Sequence, residues 1–490
     1  MIARRPLGRT GLAVSALGFG CYRIDRRVPA HREALTMALK NGCNLVDTST
    51  NYTDGESEAC VGEVIRALRD EGSIARAGVV VVSKAGYVQG RNLEIVQERR
   101  SVGNPFPDVV EYADGCWHCI HPAFLSDQLD RTLSRLGLSS VDVYLLHNPE
   151  YFLLDARKRR PGVPVSALRE EFYDRIRRAF AHLEDEAADG RIGWYGVSSN
   201  SVPNPPEDAE ATSATRMLAI ARALATERHG DPAAHRFAVL QLPMNLYEAG
   251  AVLTPNNGAR ADQTVLQFAA ENDLAVLINR PLNAFRRQRL IRLADFPIAA
   301  GVPEVPFQAR RVASLEDEFA ERIATHIRLA AGGQSPESLF RWGRELEGAV
   351  EQLHGVEHWA EVEQYQIVPR VMQAAQALER GLSGDLAMTW ADWWARYRVE
   401  LQRLLRAVRI ACARKSQRAS TAIAARLDPF LPPSVREQPL SRKALACLVN
   451  TPGVTAVLNG MRTPAYVDDS LAVLGWPSFA ASADLFRAFA

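Results

Sequence analysis

Four polar side chains of different types lie at or just beyond the ends of apolar runs in the first third of the chain. These are Asp47, Tyr52, Lys84 and His147. A lysine ammonium near a phenol favours the phenolate and lowers the pKa of tyrosine, which is near 10 in water. An aspartate paired with that lysine keeps it charged and in place. Together they predict a tyrosine that exchanges a proton near neutral pH, which is general acid–base catalysis.

His147 adds a group able to hydrogen-bond and orient a carbonyl oxygen. The set suits reduction of a carbonyl, with hydride arriving from elsewhere. Because no side chain donates hydride, this chemistry implies a nicotinamide cofactor. Each residue alone also has an ordinary structural explanation, such as a turn cap for Asp47 or a core histidine for His147. Their recurrence at successive strand ends is what supports the catalytic interpretation.

Eight short apolar runs alternate with helical patterns. Several runs are nearly continuous in apolar residues, as strands buried on both faces should be. They are residues 15–21, 44–49, 79–85, 141–147, 192–199, 239–245, 274–280 and 455–461. The clearest helical patterns are residues 31–42, 125–138 and 463–474.

This alternation predicts a parallel (β/α)8 barrel of the TIM type. A doubly wound sheet is the competing architecture, but GFGCYR after the first run lacks the G-x-G-x-x-G turn typical of it. Active sites of such barrels lie at the carboxyl ends of the strands. The four polar residues are therefore expected on one rim.

The spacing of strands is interrupted once, because no convincing strand occurs between Arg280 and Thr455. We predict a helical insertion, residues 286–439, between strands seven and eight of a barrel formed by residues 1–285 and 440–490. The insertion is expected to act as a lid or as a docking unit. Its predicted core includes one helical face and a group of aromatic residues. These are Leu401, Leu404, Leu405, Val408 and Cys412, with Trp390, Trp393, Trp394 and Tyr397.

With these residues in view, the chain resembles the aldo/keto reductase superfamily. The stretches that carry the resemblance are RPLGRTGLAVSALGFGC, NLVDTSTNY with SEACVGEVIRAL, VVVVSKA, GLSSVDVYLLH, GVSSN, LQLPMN and VTAVLNGMRTPAYVDDSL. They cover roughly residues 1–285 and 440–490 and follow the order of the family. The resemblance implies a barrel that interconverts carbonyls and alcohols with NADP(H), or less often NAD(H).

By this resemblance, Tyr52 is the general acid, Lys84 and Asp47 tune it, and His147 orients the carbonyl. The substrate is then a small carbonyl compound or its alcohol. An alternative is a nicotinamide-binding regulatory or interaction protein on the same barrel, with little turnover. The large insertion and the absence of a stacking aromatic residue after strand seven motivate that alternative.

The resemblance also implies cofactor-binding residues. Those for the carboxamide are Ser198 or Ser199, Asn200 and Gln241. Asn279 and Arg280 follow strand seven, where the family often stacks an aromatic residue on the nicotinamide. Asn459, Gly460, Met461 and Arg462 lead into a helix N-terminus suited to an anion, with Asp469 further along that helix. Tyr466 stands where many members carry an arginine for the 2′-phosphate, and Arg462 is a possible substitute, so NADP(H) is favoured over NAD(H).

The segment CWHCIH, residues 116–121, lies in a predicted long loop, residues 86–120. One C-x-x-C with two histidines suggests a metal site. However, His118 and His121 are too close for usual zinc-finger spacing, and no second pair is near, so no metal is predicted. Trp117 and His118 are instead expected to contact the substrate.

The composition is that of a soluble globular protein, with 490 residues, 47% hydrophobic and 23% charged. The net charge of +1 does not favour nucleic acid or an anionic membrane as partner. No apolar run is long enough for a signal peptide or a membrane span. Seven scattered cysteines are most simply reduced thiols, which indicates a cytoplasmic protein. The oligomeric state is not indicated.

Overall fold

Eight parallel strands close into a barrel in the computed structural model, which describes residues 2–286, 289–327 and 335–490. They are β1 Leu17–Gly20, β2 Leu45–Asp47, β3 Val80–Ala85, β4 Val141–His147, β5 Ile192–Ser198, β6 Phe237–Pro243, β7 Ala275–Asn279 and β8 Ala456–Asn459. Each strand pairs with the next, and β8 pairs with β1. The predicted (β/α)8 barrel is thereby confirmed, with all eight strands where the apolar runs indicate.

Strand geometry explains how the barrel presents polar residues at its rim. Leu45, Val82 and Leu145 belong to the buried core inside the barrel. Because side chains alternate along a strand, the residue two positions further on faces the same way. That position is Asp47 in β2, Lys84 in β3 and His147 in β4. The interior packing therefore sets the register of the polar residues.

Helices connect the barrel strands, and they fall into two groups, before and after the long segment that separates β7 from β8. Those before it are α1 Pro29–Lys40, α2 Glu56–Asp70, α3 Arg91–Ser101, α4 Pro122–Leu136, α5 Tyr151–Arg159, α6 Val165–Ala188, α7 Ala214–His229, α8 Gly250–Leu253 and α9 Val265–Glu271. Those at the C-terminal end are α15 Pro433–Arg436, α16 Leu440–Val449, α17 Pro464–Leu471 and α18 Ala483–Arg487. Thr463 caps α17 as expected, since its side chain accepts a hydrogen bond from the main-chain N–H of Tyr466.

Residues between β7 and β8 form a separate compact unit, Ala294–Arg426, while Met1–Leu293 and Leu427–Ala490 form the other. Its helices are α10 Val305–Arg322, α11 Trp342–Ala349, α12 Val356–Val362 and α13 Val368–Gly381, with α14 Gly384–Leu427 running into the C-terminal part. The predicted helical face on α14 is buried. Trp390, Trp393 and Tyr397 are buried as well, with Trp394 packed against them, so these aromatic residues form core.

Two local predictions are wrong. Asn283–Arg286 and Arg289–Arg292 pair as antiparallel strands in a region predicted to lack strands. Both strands are rich in arginine and largely exposed, so their sequence lacks the clear alternation of apolar and polar residues that indicates a strand. Residues 86–120 are not one long loop. They contain α3 and an antiparallel sheet of Tyr87–Val88, Cys116–His118 and Val110–Ala113. A further antiparallel pair, Arg4–Pro6 with Ala13–Ser15, lies near the N-terminus.

Across residues 2–286, 289–327 and 335–490, no helix has both the length and the apolar character needed to cross a membrane.

Candidate active site

Lys84 is the centre of the candidate site. Its side chain is fully buried, and its Nζ donates to Asp47 Oδ2 at 2.8 Å, to the Thr48 carbonyl at 2.7 Å and to Tyr52 Oη at 3.3 Å. Burial acts to lower the pKa of Lys84, but Asp47 and Tyr52 outweigh it, so the net direction is upward. Lys84 is therefore a charged donor in direct contact with both the carboxylate and the phenol.

Tyr52 is held above the strand end by a short helical turn, Tyr52–Gly55. Thr53 and Asp54 in this turn have φ values of 48° and 54°, and Gly55 at φ 88° caps the start of α2. Thr53 Oγ1 donates to the Ile24 carbonyl at 2.5 Å, which ties the turn to the segment after β1. This left-handed backbone lifts Tyr52 toward Lys84.

The pKa of Tyr52 differs from the expectation. Burial raises it to about 12, and the ammonium of Lys84, which acts in the opposite direction, offsets only part of the effect. The prediction of a tyrosine poised near neutral pH is wrong for this structure, because sequence spacing does not reveal the desolvation of the hydroxyl. Tyr52 therefore keeps its proton at neutral pH, as a proton donor must.

His147 is buried, and its pKa is well below the usual range. Burial is the main cause, with Lys84 and His118 adding to it. The imidazole is therefore neutral. Its Nδ1 lies 3.1 Å from Ser49 Oγ. Ser49 Oγ also lies 2.8 Å from Asn51 Oδ1 and 3.2 Å from the Lys84 carbonyl oxygen, and both of these atoms only accept. With its one hydrogen directed to either of them, Nδ1 of His147 is the donor and Nε2 an acceptor; with that hydrogen directed to Nδ1, Nε2 is the donor.

The two residues expected to contact substrate differ in exposure. His118 is buried, and burial lowers its pKa to about 4. Its Nε2 lies 2.7 Å from the carbonyl oxygen of His147, so His118 contacts the main chain at the end of β4. Trp117 is half-buried, and the guanidinium of Arg100 lies 5.3 Å from its ring. Substrate contact by either residue stays a prediction.

A hydrogen-bonded chain runs from Asp47 toward the strands expected to bind the cofactor. Gln241 Nε2 donates to Asp47 Oδ1 at 2.7 Å, and Gln241 Oε1 accepts from Ser198 Oγ at 3.0 Å. Asn279 Nδ2 lies 3.5 Å from the same oxygen. The Oδ1 atom of Asn279 is buried and has no partner among the described residues. Ser198, rather than Ser199, is therefore the serine beside Gln241.

The turn after β5 is held by a residue that the sequence analysis missed. Glu150 Oε1 accepts the main-chain N–H of Asn200 at 2.7 Å. Glu150 is 3% exposed, and burial raises its pKa to about 7. Ser199 lies beside it in a buried cluster of hydroxyls with Ser201 and Thr212. The signal that could have identified Glu150 was its position three residues after His147, just beyond the end of β4.

Arg280 is engaged with a carboxylate. Its φ is 53°, and its Nη2 donates to Glu248 Oε1 at 2.8 Å. The guanidinium also lies 5.4 Å from the ring of Phe285. Glu248 further accepts the main-chain N–H of Phe285 at 3.1 Å and the side chain of Asn245 at 2.8 Å. This ion pair occupies the end of β7, where the family often has an aromatic residue.

The residues after β8 divide into two groups. Asn459 Nδ2 donates to Ser470 Oγ at 2.8 Å, which joins the end of β8 to α17. Met461 is buried, Arg462 is half-exposed beside Gly460, and Tyr466 is exposed. Asp469 accepts from Ser441 Oγ at 3.0 Å and from Arg442 Nε at 2.8 Å, so its carboxylate binds α16. A cofactor contact by Asp469 stays a prediction.

Metal binding receives no support from side-chain clusters in the described residues. No group of three or more His, Cys, Asp or Glu residues there is arranged to hold an ion.

Comparisons with known proteins identify the family of the chain. The profile of the Aldo/keto reductase family matches residues 16–284, more than half of the chain. The NADH-specific methylglyoxal reductase of Escherichia coli (strain K12) is 29% identical over 153 residues, which cover 29% of this chain and 40% of that protein. The NADPH-dependent aldose reductase GRE3 of Saccharomyces cerevisiae is 30% identical over 197 residues, which cover 39% and 50%. The matched region thus spans half or less of these relatives.

Among solved structures, the chain is similar to the aldo-keto reductase AKR11C1 from Bacillus halodurans in its holo form. The TM-score is 0.45 at 14% identity, with 100% of this chain and 95% of that chain covered. The glycerol dehydrogenase AKR11B4 from Gluconobacter oxydans gives a TM-score of 0.46 at 14% identity, with 100% and 93% covered.

Proposed function

Because this chain belongs to the aldo/keto reductase family, we propose that it is an NAD(P)(H)-dependent oxidoreductase that interconverts a carbonyl compound and its alcohol. The observation that carries the proposal is the contact of buried Lys84 with both Asp47 and Tyr52. An ion pair that only stabilised the barrel would not need a phenol within reach of its ammonium. The substrate class is small aldehydes, ketones or sugars.

In this proposal Tyr52 protonates the carbonyl oxygen in the reductive direction. Its pKa of about 12 keeps the proton on the phenol until the substrate oxygen develops negative charge. Lys84 then stabilises the phenolate, and Asp47 holds Lys84 in position. Neutral His147, in the tautomer with its ring hydrogen on Nε2, donates a hydrogen bond to the substrate oxygen and fixes its orientation.

The residues on the other side of the barrel suit a nicotinamide cofactor. Gln241, Ser198 and the unpaired Oδ1 atom of Asn279 form a polar group able to bind a carboxamide. When bound, the cofactor supplies the hydride that no side chain provides. The main chain from Asn459 to Arg462 and the start of α17 suit phosphate groups.

NADP(H) is the proposed cofactor over NAD(H). Arg462 is half-exposed and has no ion pair among the described residues, so its guanidinium is available for a 2′-phosphate. The two relatives named above are called NADPH-dependent and NADH-specific. Family membership therefore does not decide the preference, and the proposal depends on Arg462.

Two further proposals concern the setting of the enzyme. A cytoplasmic location is supported by seven free cysteines, with no disulfide among them. The insertion, predicted from sequence as residues 286–439, is proposed to be a lid or a docking unit. Cross-linking it and measuring substrate preference separates these roles, because an unchanged preference argues against a lid.

The test of the catalytic proposal combines cofactor binding with turnover. NADPH and NADH are titrated against wild-type protein and Tyr52→Phe by fluorescence, and both proteins are assayed with a panel of carbonyls. We expect unchanged cofactor affinity and a loss of activity of about 10²- to 10⁴-fold in the variant. Binding without turnover in the wild type would favour the regulatory alternative. Wild-type turnover by Tyr52→Phe would refute Tyr52 as proton donor.

A further inference from the structure

An open cavity of about 630 Å³ lies outside the barrel, between α2, α4 and the start of α3. Its volume is within the range of small-molecule sites. Among the described residues that line it, none belongs to the group Asp47, Tyr52, Lys84 and His147. Thr50, Asp54 and Gly55, from the segment that carries Tyr52, form one wall. The cavity is therefore separate from the candidate active site but adjoins its loop.

The acidic side chains of α2 and α4 in this lining already have cationic partners. Glu56 and Glu63 lie 2.6 and 3.5 Å from Arg26, and Asp130 pairs with Arg191. Two lining arginines on α4 are likewise paired, Arg131 with Asp127 and Arg135 with Glu58. Because Glu56 and Glu63 share Arg26, these ion pairs supply no positive field of their own.

Two cations remain without a carboxylate. Arg66 on α2 and Arg91 at the start of α3 form no ion pair and no side-chain hydrogen bond with any described residue. The guanidinium of Arg66 lies beside Gly137, at the end of α4. The main-chain N–H of Arg91 donates to Asp54 Oδ1 at 3.4 Å, and the Asp54 carboxylate, which also lines the cavity, forms no ion pair with a described residue. Two of the lining arginines are therefore unpaired, and the described lining carries a net charge of +1, from five arginines (Arg26, Arg66, Arg91, Arg131 and Arg135) and four carboxylates (Asp54, Glu56, Glu63 and Asp130).

Two buried polar side chains add hydrogen-bonding capacity. Thr50 is 2% exposed and Asn92 is 6% exposed, and both line the cavity. Within the part of the chain that the structure describes, neither the Thr50 hydroxyl nor the Asn92 carboxamide has a hydrogen-bond partner. Only the Thr50 hydroxyl oxygen is a fully buried atom without a partner, while the Asn92 carboxamide keeps contact with solvent. Buried polar groups are normally paired, so the unpaired hydroxyl beside the cavity points to a polar ligand.

We propose that this cavity binds a small polar molecule with two anionic groups, either phosphates or carboxylates. Guanidinium groups bind both kinds of oxyanion through paired hydrogen bonds. Thr50 and Asn92 supply the additional donors. Ala59 and Ile95 are the apolar side chains in the described lining, too few for a hydrophobic ligand.

The test is isothermal titration calorimetry of the full chain with inorganic pyrophosphate and, separately, with malonate. Arg66→Gln and Arg91→Gln are expected to weaken binding at least tenfold each. Arg69→Gln is the matched control, because Arg69 is exposed on the same helix but does not line the cavity. The Arg69→Gln variant should bind both probes with the affinity of the wild type. A heat of binding for pyrophosphate but not for malonate indicates a phosphorylated ligand. A heat of binding for malonate but not for pyrophosphate indicates a dicarboxylate.

A second pair of variants separates this cavity from the proposed cofactor site, where pyrophosphate could also bind. Arg280→Gln and Arg462→Gln should leave the affinity unchanged if the proposal holds. Loss of binding in these variants, with retention in Arg66→Gln and Arg91→Gln, would overturn it. Absence of heat with both probes in the wild type would overturn it as well. NADPH affinity, measured in parallel, should be unchanged in Arg66→Gln and Arg91→Gln.

Discussion

The rim of β2 to β4 and the rim of β7 and β8 differ in how their polar residues are engaged. On the first, Asp47, Lys84 and Tyr52 bond to one another. On the second, Arg280 bonds to Glu248 and Asp469 bonds to Arg442, both neighbours outside the predicted site, while Arg462 forms no ion pair with a described residue. The polar contacts of the first rim are thus formed without any ligand, as the proposed proton transfer requires. If Arg280 binds the cofactor, it has to leave Glu248 first, whereas Arg462 does not have to exchange a partner.

The largest expected effect is from Lys84→Met, which removes the centre of the first rim. Asp47 would be left buried with only Gln241 as a side-chain partner, and breaking a buried pair costs about 3–5 kcal/mol of unfolding free energy. Carbonyl reduction should fall on the order of 10³-fold, because the phenolate loses its cation. Urea unfolding and steady-state assays measure both effects.

Lys443→Met is the control for this prediction. Lys443 is also buried and lies 2.7 Å from a carboxylate, but that of Asp428 is 32% exposed. Water can solvate Asp428 when the lysine is removed, so the loss of stability should be clearly smaller. Equal losses in the two variants would mean that the Lys84 pair has no special role in the first rim.

A smaller effect is expected at Glu150, which follows β4 but holds Asn200 on the cofactor side. Burial raises its pKa from 4.5 to about 7. The unfolded chain releases this proton near pH 4.5 and the folded chain only near pH 7. The stabilising effect of the protonated form is therefore complete below pH 4.5 and is lost as pH rises to 7, by about 3 kcal/mol in total.

Glu150→Gln should remove this contribution to the pH dependence between pH 4.5 and 7. Unfolding free energies at pH 5 and pH 8 measure it. Glu207→Gln, at an exposed position of the loop after β5, is the control and should keep the wild-type pH dependence. An unchanged pH dependence in Glu150→Gln would show that the carboxyl group of Glu150 titrates normally in the folded protein.

The two rims also differ in how well the sequence predicts them, because local strand patterns place the residues of the first rim but not the ion pairs of the second. Asp47, Lys84 and His147 were predictable because strand alternation and strand ends place them, and both are visible as apolar patterns. The pKa of Tyr52 was not, because desolvation depends on residues brought together only by folding. The partner of Asp469 was also hidden, since Arg442 lies in a helix before β8 and no local spacing joins the two. Glu150 has one such long-range partner, the main chain of Asn200.

The smallest effect tests whether the second rim exchanges partners. If Arg280 leaves Glu248 to bind the cofactor pyrophosphate, Arg280→Ala should weaken NADPH binding about tenfold, which is about 1.4 kcal/mol. Glu248→Gln should instead strengthen it, because the competing carboxylate charge is gone while an amide oxygen still accepts the N–H of Phe285. Arg260→Ala, at an arginine whose side chain is 88% exposed, serves as the control. Opposite shifts for Arg280→Ala and Glu248→Gln can arise only if the ion pair competes with the cofactor. If both variants weaken binding alike, the pair is a fixed support for the end of β7, and both rims are then organised in advance.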